Sequence, residues 1–319
     1  MYFCPQTVNM EIDLVYLWVN GNDPQWRAKR RACIGEPERK SDVNCEGRYA
    51  DNDELKYSLR SMEKYAPWIH RIFIVTDNQV PEWLDTSNPG IRIVDHTEIM
   101  PAESLPCFNS TLIEHFICRI PGLSEHFLYA NDDTFINKPV TPDIFFAEDG
   151  FPVIRFIRSP FRDLYLSFRK KVLGIPLGNY IQIVRNSAEL VKKRYGIYYN
   201  GRAHHNIDSY LKSDYLRTGK IFGQEIQAML HNRVRSAKDV HRSIYAYTAL
   251  AEKRGHLVYV TQRTSFRFLI YNKSHYGKLR RYDPVFFCMN DSEHASDSDR
   301  QRMKAFLAKR FPEKSQFEK

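Results

Sequence analysis

The stretch "FLYANDDTFINKPV" (residues 127–140) decides how the chain is expected to fold. An apolar run ends there in three consecutive polar residues, Asn131, Asp132 and Asp133, before the chain becomes apolar again. Apolar runs of this length, bounded by polar residues, are typical of strands that are buried on both faces. The pattern therefore predicts a buried strand, 126–133, with two adjacent carboxylates at its end.

Three similar apolar runs lie earlier in the chain, at 12–19, 71–78 and 91–96. Helical patterns at 51–69 and 110–120 alternate with them. Strands that alternate with helices favour an α/β fold with a mostly parallel sheet and crossover helices. Ligands bind such sheets at the carboxyl ends of the strands. The acidic strand end is therefore expected in an active site.

Polar residues before the two helical patterns are expected to cap them. Asp51 or Asn52 fits the start of the first helix, and Ser110 fits the start of the second. Ser236 is expected to begin a further helix that ends at Gly255.

The pattern weakens after residue 150. Residues 150–215 are expected to form an inserted or helical lobe, because their central part is rich in Arg, Lys, Tyr and Phe. Beyond this lobe the pattern predicts a helix, two strands and a capped amphipathic helix, in the ranges 236–255, 256–260, 283–291 and 296–312. Neither a repeat nor a linker marks a boundary. Residues 12–319 are therefore expected to form a single catalytic domain, preceded by an N-terminal extension, 1–11.

The composition favours an anionic partner. The 319 residues carry a formal net charge of +9, which suits nucleic acid, a phosphorylated substrate or an acidic membrane face. Six cysteines are scattered without CxxC spacing, which argues against a zinc cluster or a disulfide framework. The first residues lack the pattern of a secretion signal, and no apolar run reaches the ~18 residues of a membrane span. A cytoplasmic protein is expected.

Adjacent carboxylates at a strand end suit Mg²⁺, which prefers oxygen ligands and bridges diphosphate oxygens. An Asp-Asp pair can equally be a solvated turn. Two further polar groups, "NGND" at 20–23 and the pair Asn290 and Asp291, also follow apolar runs. Three polar strand ends around one cleft favour a site for a metal and a phosphate.

Other polar residues are ambiguous when each is considered alone. Glu114 fits a surface position on its helix, while His204 and His205 fit a solvated pair or a general base in a loop. Arg235 fits a basic helix face or a phosphate contact. No GxGxxG follows the first strand, and the chain has no P-loop and no GxSxG elbow. Dinucleotide dehydrogenases, P-loop ATPases and serine hydrolases of that type are therefore disfavoured.

Taken in order, the motifs resemble the conserved blocks of the Stealth family. Its members are sugar-1-phosphate transferases of bacterial capsule and exopolysaccharide synthesis, and the animal N-acetylglucosamine-1-phosphotransferase shares the blocks. The resemblance extends from about residue 12 to 313 and rests on four segments: "IDLVYLWVNGNDPQW" (12–26), "RYADNDELKYSLRSMEKYAPWIHRIFIVTDNQVPEWL" (48–84), "LYANDDTFINKPV" (128–140) and "FFCMNDS" (286–292).

The resemblance implies a fold similar to that of nucleotide-sugar glycosyltransferases of the GT-A type. It implies transfer of a sugar-1-phosphate from a nucleotide diphospho-sugar, expected to be UDP-N-acetylhexosamine, to a sugar hydroxyl. The product is a phosphodiester, and a nucleoside monophosphate is released. The expected partners are the nucleotide-sugar donor, an oligosaccharide or polysaccharide acceptor, and Mg²⁺ or Mn²⁺. The basic surface adds the inner face of the membrane as an expected peripheral contact. Nucleic acid is not expected.

The resemblance also implies roles for individual residues. It gives catalytic roles to Glu114, Asp133, His204 or His205, and Arg235. Of the two histidines, His204 is preferred because it directly follows the alanine of the motif, although the segment 200–212 is shorter than in the family. The metal ligands are expected to be Asp132, Asp133 and Asp291. The residues expected to bind substrate are Trp18, Asn20, Gly21, Asp23, Asp51, Asn52, Arg60, Asn131 and Asn290.

Two alternatives remain open at this point. A metal-dependent glycosyltransferase would use the same donor and metal but would attack the anomeric carbon and release a nucleoside diphosphate. A basic protein that binds polyanions without turnover would show a steep dependence of binding on salt.

Overall fold

Strands and helices follow one another along the chain much as the pattern predicts. The computed structural model describes residues 10–35, 49–158 and 161–319, so most of the predicted N-terminal extension lies outside the described residues. The strands are β1 (Ile12–Leu17), β2 (Ile72–Thr76), β3 (Ile91–Asp95), β4 (His126–Asn131), β5 (Thr134–Ile136), β6 (Val153–Ile157), β7 (Arg202–Ala203), β8 (Asp208–Leu211), β9 (His256–Val260), β10 (Ser265–Leu269) and β11 (Phe286–Asn290). The helices are α1 (Pro24–Ile34), α2 (Glu54–Tyr65), α3 (His96–Ile99), α4 (Ser110–Ile113), α5 (Arg162–Lys171), α6 (Asn179–Tyr195), α7 (Lys212–Ile221), α8 (Gly223–Gln227), α9 (Ser243–Ala251), α10 (Lys273–Tyr282) and α11 (Asp297–Arg310).

The main sheet has five strands in the order β3-β2-β1-β4-β8. The first four strands run parallel, and β8 is antiparallel to β4. The predicted α/β fold with a mostly parallel sheet is therefore confirmed. Leu17 lies opposite both Val75 and Asn131, so β1, β2 and β4 end at the same edge of the sheet.

Both faces of the main sheet are covered, as the continuous apolar runs predict. Side chains of β1 alternate, with Leu14 and Tyr16 on one face and Val15 on the other, and all three are fully buried. On the first face they pack with α2, and on the second with α6 and α9.

Two small sheets flank the main one, in the orders β10-β11-β5 and β7-β6-β9. Strand β5 follows directly after Asp133 and pairs antiparallel with β11, with Thr134 opposite Cys288. This pairing brings the end of β11 to the acidic end of β4. Stacked rings of Phe135 and Phe287, 4.8 Å between centroids, help to hold the two strands together.

Two of the predicted helix starts are wrong. One helix begins after a residue in the left-handed conformation, and the other is capped by a different side chain. Helix α2 begins after Asp53, whose φ of 65° is left-handed and whose side chain makes no capping bond. Asn109 caps α4 by accepting a bond from the backbone N–H of Thr111. The predicted helix at 110–120 is also broken, since a separate 3₁₀ turn forms at Ile117–Arg119.

The second half of the chain differs more from the prediction. Helix α9 begins at Ser243 rather than Ser236, because the Asp239 carboxylate accepts from the Ser236 N–H at 2.8 Å and fixes a turn there. The range 150–215 contains α5 and α6 but also β6, β7 and β8, so its ends belong to the sheets rather than to a helical lobe. The terminal helix α11 is confirmed, with Ser296 in a capping box. Within the described ranges, no helix combines the length and the apolarity needed to cross a membrane.

Candidate functional site

The acidic end of β4 and the polar end of β11 meet at one point. The backbone N–H of Met289 donates to the Asp133 carbonyl at 3.0 Å, which places Asn290 beside Asp133. The Asn290 side-chain amide then donates to Asp133 Oδ2 at 2.5 Å. Asp133 Oδ1 is buried and finds no hydrogen-bond partner among the residues that the structure describes. The structure therefore brings together two motifs that are 157 residues apart in the chain.

Four carboxyl groups share this region. Burial raises the pKa of Asp132 well above its usual value, and the charges of Asp133, Glu54 and Asp51 raise it further. Burial also raises the pKa of Glu54 to about 8. The pKa of Asp133 is raised as well, and burial is the largest cause. Carboxyl groups that repel one another in this way are stabilised by a bound cation. The carboxyl groups thus suit a divalent cation.

A second set of donors lies beside these carboxyl groups. One oxygen of Asp133, one ring nitrogen of His205 and the sulfur of Cys288 all lie within 4.8 Å of one another. Burial and the nearby Asp133 raise the pKa of the Cys288 thiol well above its usual value. Imidazole and thiolate are ligands that Zn²⁺ favours more than Mg²⁺ does. The donors near Asp133 therefore fit a divalent cation and include two ligand types that Mg²⁺ rarely takes.

Cys288 is not among the residues predicted from sequence, because CxxC spacing does not identify it. It lies two residues before Asn290 on β11, so both side chains point to the same face of the strand. The Asn290 amide lies 3.2 Å from its sulfur. Cys288 could have been identified from the sequence, because alternate side chains of a strand share a face and Cys288 lies two residues before Asn290.

The two histidines of the Ala-His-His segment occupy different environments. His204 is buried, its ring Nε2–H donates to the Ile207 carbonyl at 3.2 Å, and burial lowers its pKa to about 4. His205 is half-buried, and its Nε2 lies 3.3 Å from the Asn290 amide. The preference for His204 is therefore not supported by the geometry. His205 is the histidine that lies with Asp133.

Glu114 lies in the interior rather than on a helix surface. Its Oε1 accepts from the Tyr129 hydroxyl at 2.9 Å and from Arg242 at 3.2 Å. Its Oε2 is buried and has no hydrogen-bond partner within the described ranges. The Tyr129 hydroxyl also lies 3.0 Å from Asn131 Oδ1, which joins Glu114 to the end of β4.

Arg242, which from the sequence alone fits a basic helix face or a phosphate contact, is a further residue of this network. Its second terminal nitrogen donates to Asp208 at 2.6 Å, and its guanidinium lies 4.4 Å from the centre of the Tyr129 ring. Although burial lowers the pKa of Arg242, the carboxylates of Glu114 and Asp208 raise it well above the usual value. Asp208 also lies 3.6 Å from the His204 ring. A buried chain of charges thus underlies the site.

Arg235 lies next to the start of α4. Its Nε and Nη2 donate to the Ser110 hydroxyl at 3.1 and 2.6 Å. Glu114 lies one helical turn after Ser110 and is the C-cap residue of the same helix. The structure thus connects Arg235 to the strand ends through α4 and Glu114.

The polar residues after β1 mainly hold the backbone. Gln79 accepts from the Asn20 N–H at 2.9 Å and donates to Asp23 at 2.9 Å, while Asp23 caps α1. A Cβ at Gly21 would lie 2.2 Å from the Tyr49 carbonyl oxygen, so only glycine fits there. Trp18 is buried. These contacts give the loop a structural role in addition to the predicted contact with substrate.

Asp51 and Asn52 lie near the acidic strand end. Burial, followed by the charge of Asp53, raises the pKa of Asp51. The Asn52 amide donates to Glu54 at 2.9 Å and lies 3.4 Å from Asp291.

Two predicted residues have other partners. Both oxygens of Asp291 accept from Arg300, at 2.7 and 3.2 Å, which argues against the predicted ligand role. Arg60 donates to both oxygens of Glu318 at 2.7 Å and to the Phe311 carbonyl at 2.8 Å. Arg60 therefore anchors the C-terminal segment, and the structure does not bring it to the acidic strand end.

Comparison with solved structures gives a loose likeness only. The structure of the galactosyltransferase LgtC with donor and acceptor sugar analogues matches 95% of this chain and 98% of that one, at a TM-score of 0.45 and 11% identity. Glycosyltransferase GlyE of Streptococcus pneumoniae TIGR4 matches at a TM-score of 0.41 and 11% identity, over 94% of this chain and 60% of that one.

Comparison with sequences gives closer matches. Exopolysaccharide phosphotransferase SCO6023 of Streptomyces coelicolor is 34% identical over 99% of this chain and 53% of its own length. Capsular polysaccharide phosphotransferase SacB of Neisseria meningitidis serogroup A is 32% identical over 98% of this chain and 57% of its own. The chain thus spans little more than half the length of these two relatives.

Two family models match the chain, and the second of them covers the acidic strand end. Conserved region 1 of the Stealth proteins matches residues 10–36, and conserved region 2 matches residues 48–154. Capsular polysaccharide phosphotransferase fcs1 of Haemophilus influenzae is 33% identical over 90% of this chain and 79% of its own length. Since the match with this relative extends over most of both proteins, the chain belongs to the Stealth family.

Proposed function

We propose that this chain transfers a sugar-1-phosphate from a nucleotide diphospho-sugar to a saccharide hydroxyl and releases a nucleoside monophosphate. The donor that we favour is a UDP-N-acetylhexosamine, and the product belongs to a capsular or extracellular polysaccharide. The observation that carries the proposal is the meeting of Asp133, His205 and Asn290, from three distant segments, at the carboxyl end of the sheet. The names of the relatives, all phosphotransferases, support the same reaction class.

In the proposed reaction the acceptor hydroxyl attacks the β-phosphorus of the donor. A new bond forms between that oxygen and phosphorus while the bond to the bridging oxygen breaks, and the bridging oxygen leaves with the nucleoside monophosphate. Such transfers depend on in-line placement and on neutralising the charge of the phosphate oxygens. A divalent cation at Asp132 and Asp133 would supply part of that neutralisation.

The chain's own residues supply the remaining functions in this proposal. His205 accepts the proton of the attacking hydroxyl, and Asn290 orients both His205 and Asp133 through its side-chain amide. Arg235, held by Ser110, contacts the donor phosphates. Glu114 supports the end of β4 from the interior, since its Oε1 accepts from the Tyr129 hydroxyl, which also contacts Asn131, and from Arg242.

The test is incubation of the protein with UDP-, GDP- and CMP-sugars, a saccharide acceptor, and Mg²⁺ or Mn²⁺. The expected result is a phosphodiester signal in the phosphorus NMR spectrum of the product and a nucleoside monophosphate on chromatography. Release of a nucleoside diphosphate would overturn the proposal and indicate a glycosyltransferase. Absence of turnover with all donors and metals, combined with binding of polyanions that falls steeply with salt, would indicate a binding protein.

A further inference from the structure

Large apolar side chains that remain exposed are concentrated in one segment. Of thirteen such side chains in the part of the chain that the structure describes, seven lie between Phe161 and Ile175, on α5 and the turn after it. Phe161 is 78% exposed and Leu164 is 74% exposed. Single exposed apolar residues are common on protein surfaces, whereas a contiguous patch indicates a contact surface.

The exposed residues form a stripe along one side of α5. Counted from the first of them, they lie at positions i, i+3, i+4, i+7 and i+11, which places them on one face. The members of this apolar stripe are Phe161, Leu164, Tyr165, Phe168 and Val172. On the other side of the helix, Leu166 is buried and Ser167 accepts a bond from Arg185 at 3.1 Å. Helix α5 therefore rests on the protein with one side and presents the stripe to solvent.

Cationic side chains flank the apolar stripe. At about 100° per residue, Arg169 and Lys171 lie about 80° to either side of its centre. The Arg169 guanidinium lies 5.9 Å from the centre of the Tyr165 ring. The sequence contains neither Asp nor Glu from 164 to 188. The surface around the stripe thus combines apolar area with positive charge, which is the pattern of helices that lie in a membrane interface.

We propose that α5 binds the surface of a bilayer with anionic headgroups. The apolar stripe enters the boundary between headgroups and acyl chains, while Arg169 and Lys171 extend their charged ends to the lipid phosphates. A second copy of the chain fits this surface less well, because a symmetric contact would bring the same cations together. Anionic lipids offset those charges, as they do the net charge of +9. The inference is independent of the reaction at the acidic strand end.

The test is flotation of the whole protein with vesicles of phosphatidylcholine alone or mixed with phosphatidylglycerol. Binding to the anionic vesicles is expected, and the double variant Leu164→Gln/Phe168→Gln should weaken it by about tenfold or more. Arg169→Gln/Lys171→Gln should weaken it by a similar factor at low salt. The matched control is Leu216→Gln/Val258→Gln, because both of these residues are 43% exposed but lie outside the stripe. The control should bind as the wild type does.

A second measurement reports insertion directly. The emission of Phe168→Trp should be quenched by brominated acyl chains in anionic vesicles, whereas that of Leu216→Trp should change little. Three results would overturn the proposal. They are failure to bind anionic vesicles, equal binding by the stripe and control variants, and a dimer in light scattering that the stripe variant converts to a monomer.

Discussion

Arg242 and Glu114 form an ion pair of 3.2 Å in a region where their side chains are only 6% and 7% exposed. The other side of the guanidinium is bound to Asp208 at 2.6 Å. Removing one member of a buried ion pair leaves the others charged and desolvated, which costs more than the pair itself contributes. Arg242 is therefore a positioning residue, since it fixes Glu114, which the Tyr129 hydroxyl joins to Asn131 at the end of β4.

Arg242→Met should lower the free energy of unfolding by about 3–5 kcal/mol, because Glu114 and Asp208 then lie buried without their cation. Urea denaturation at neutral pH measures this loss. The matched control is Arg217→Met, which breaks ion pairs with Asp214 and Glu252 at a site where Arg217 is 35% exposed. The control should lose about 1 kcal/mol or less. Equal losses in the two variants would show that the buried ion pair contributes no more to the free energy of unfolding than the partly exposed one.

Asp133→Asn should reduce turnover by a factor of about 10²–10³ or more while the protein keeps its fold, because the carboxylate beside Asn290 is lost. The measurement is the steady-state rate with Mg²⁺ or Mn²⁺, with circular dichroism as the check on folding. Asp291→Asn is the informative comparison, since its carboxylate is paired with Arg300. We expect a much smaller loss of rate there. An equal loss would restore Asp291 as a metal ligand.

The two histidines should respond differently to removal. His205→Ala should lower kcat by a factor of about 10²–10³ with little change in stability, because it lies half-buried with Asp133 and Asn290. His204→Ala should mainly lower stability, since the ring is buried beside Phe286 and Asp208. Rates and urea unfolding curves for both variants check this.

A titration with Mn²⁺ or Zn²⁺ separates two roles for His205. If His205 is the base, metal affinity in His205→Ala stays close to that of the wild type. A parallel fall in metal affinity and rate would make His205 a ligand together with Asp133 and Cys288. Cys288→Ser provides the comparison, because it removes the sulfur and leaves the imidazole in place.

The parts of the fold that rest on local patterns were predictable from sequence. Buried strands at Ile12–Leu17, Ile72–Thr76 and His126–Asn131 follow from continuous apolar runs, and their shared edge follows from parallel pairing. The capping box at Ser296 is equally local. Hence the acidic strand end was placed correctly by its position after an apolar run.

Features that depend on contacts between distant segments were not predictable. The late start of α9 depends on the turn that Asp239 fixes, and Asn109, 130 residues away in sequence, also donates to that carboxylate. The environment of His204 is set by β7 and β8, two short strands that carry no clear pattern. The roles of Arg242 and Asp208 depend in the same way on packing across the sheet.

Acid should destabilise the protein through buried histidines such as His115. One ring nitrogen of His115 lies 2.8 Å from the Val240 carbonyl and the other 2.8 Å from the Tyr245 hydroxyl, and burial lowers its pKa from 6.5 to about 4. Below pH 6.5 the unfolded chain binds a proton that the folded chain does not, so the free energy of unfolding falls as the pH falls towards 4. The loss from this residue is about 3 kcal/mol and levels off below pH 4.

The measurement is the free energy of unfolding from urea curves between pH 8 and pH 4, for the wild type and for His115→Gln. At pH 8 the imidazole is neutral in both the folded and the unfolded state, so the difference there isolates the lost packing and hydrogen bonds. The variant should then lose less stability than the wild type between pH 6.5 and 4, because one proton-binding group of the unfolded chain is gone. Parallel pH profiles would mean that His115 takes up a proton in the folded protein as readily as in the unfolded chain.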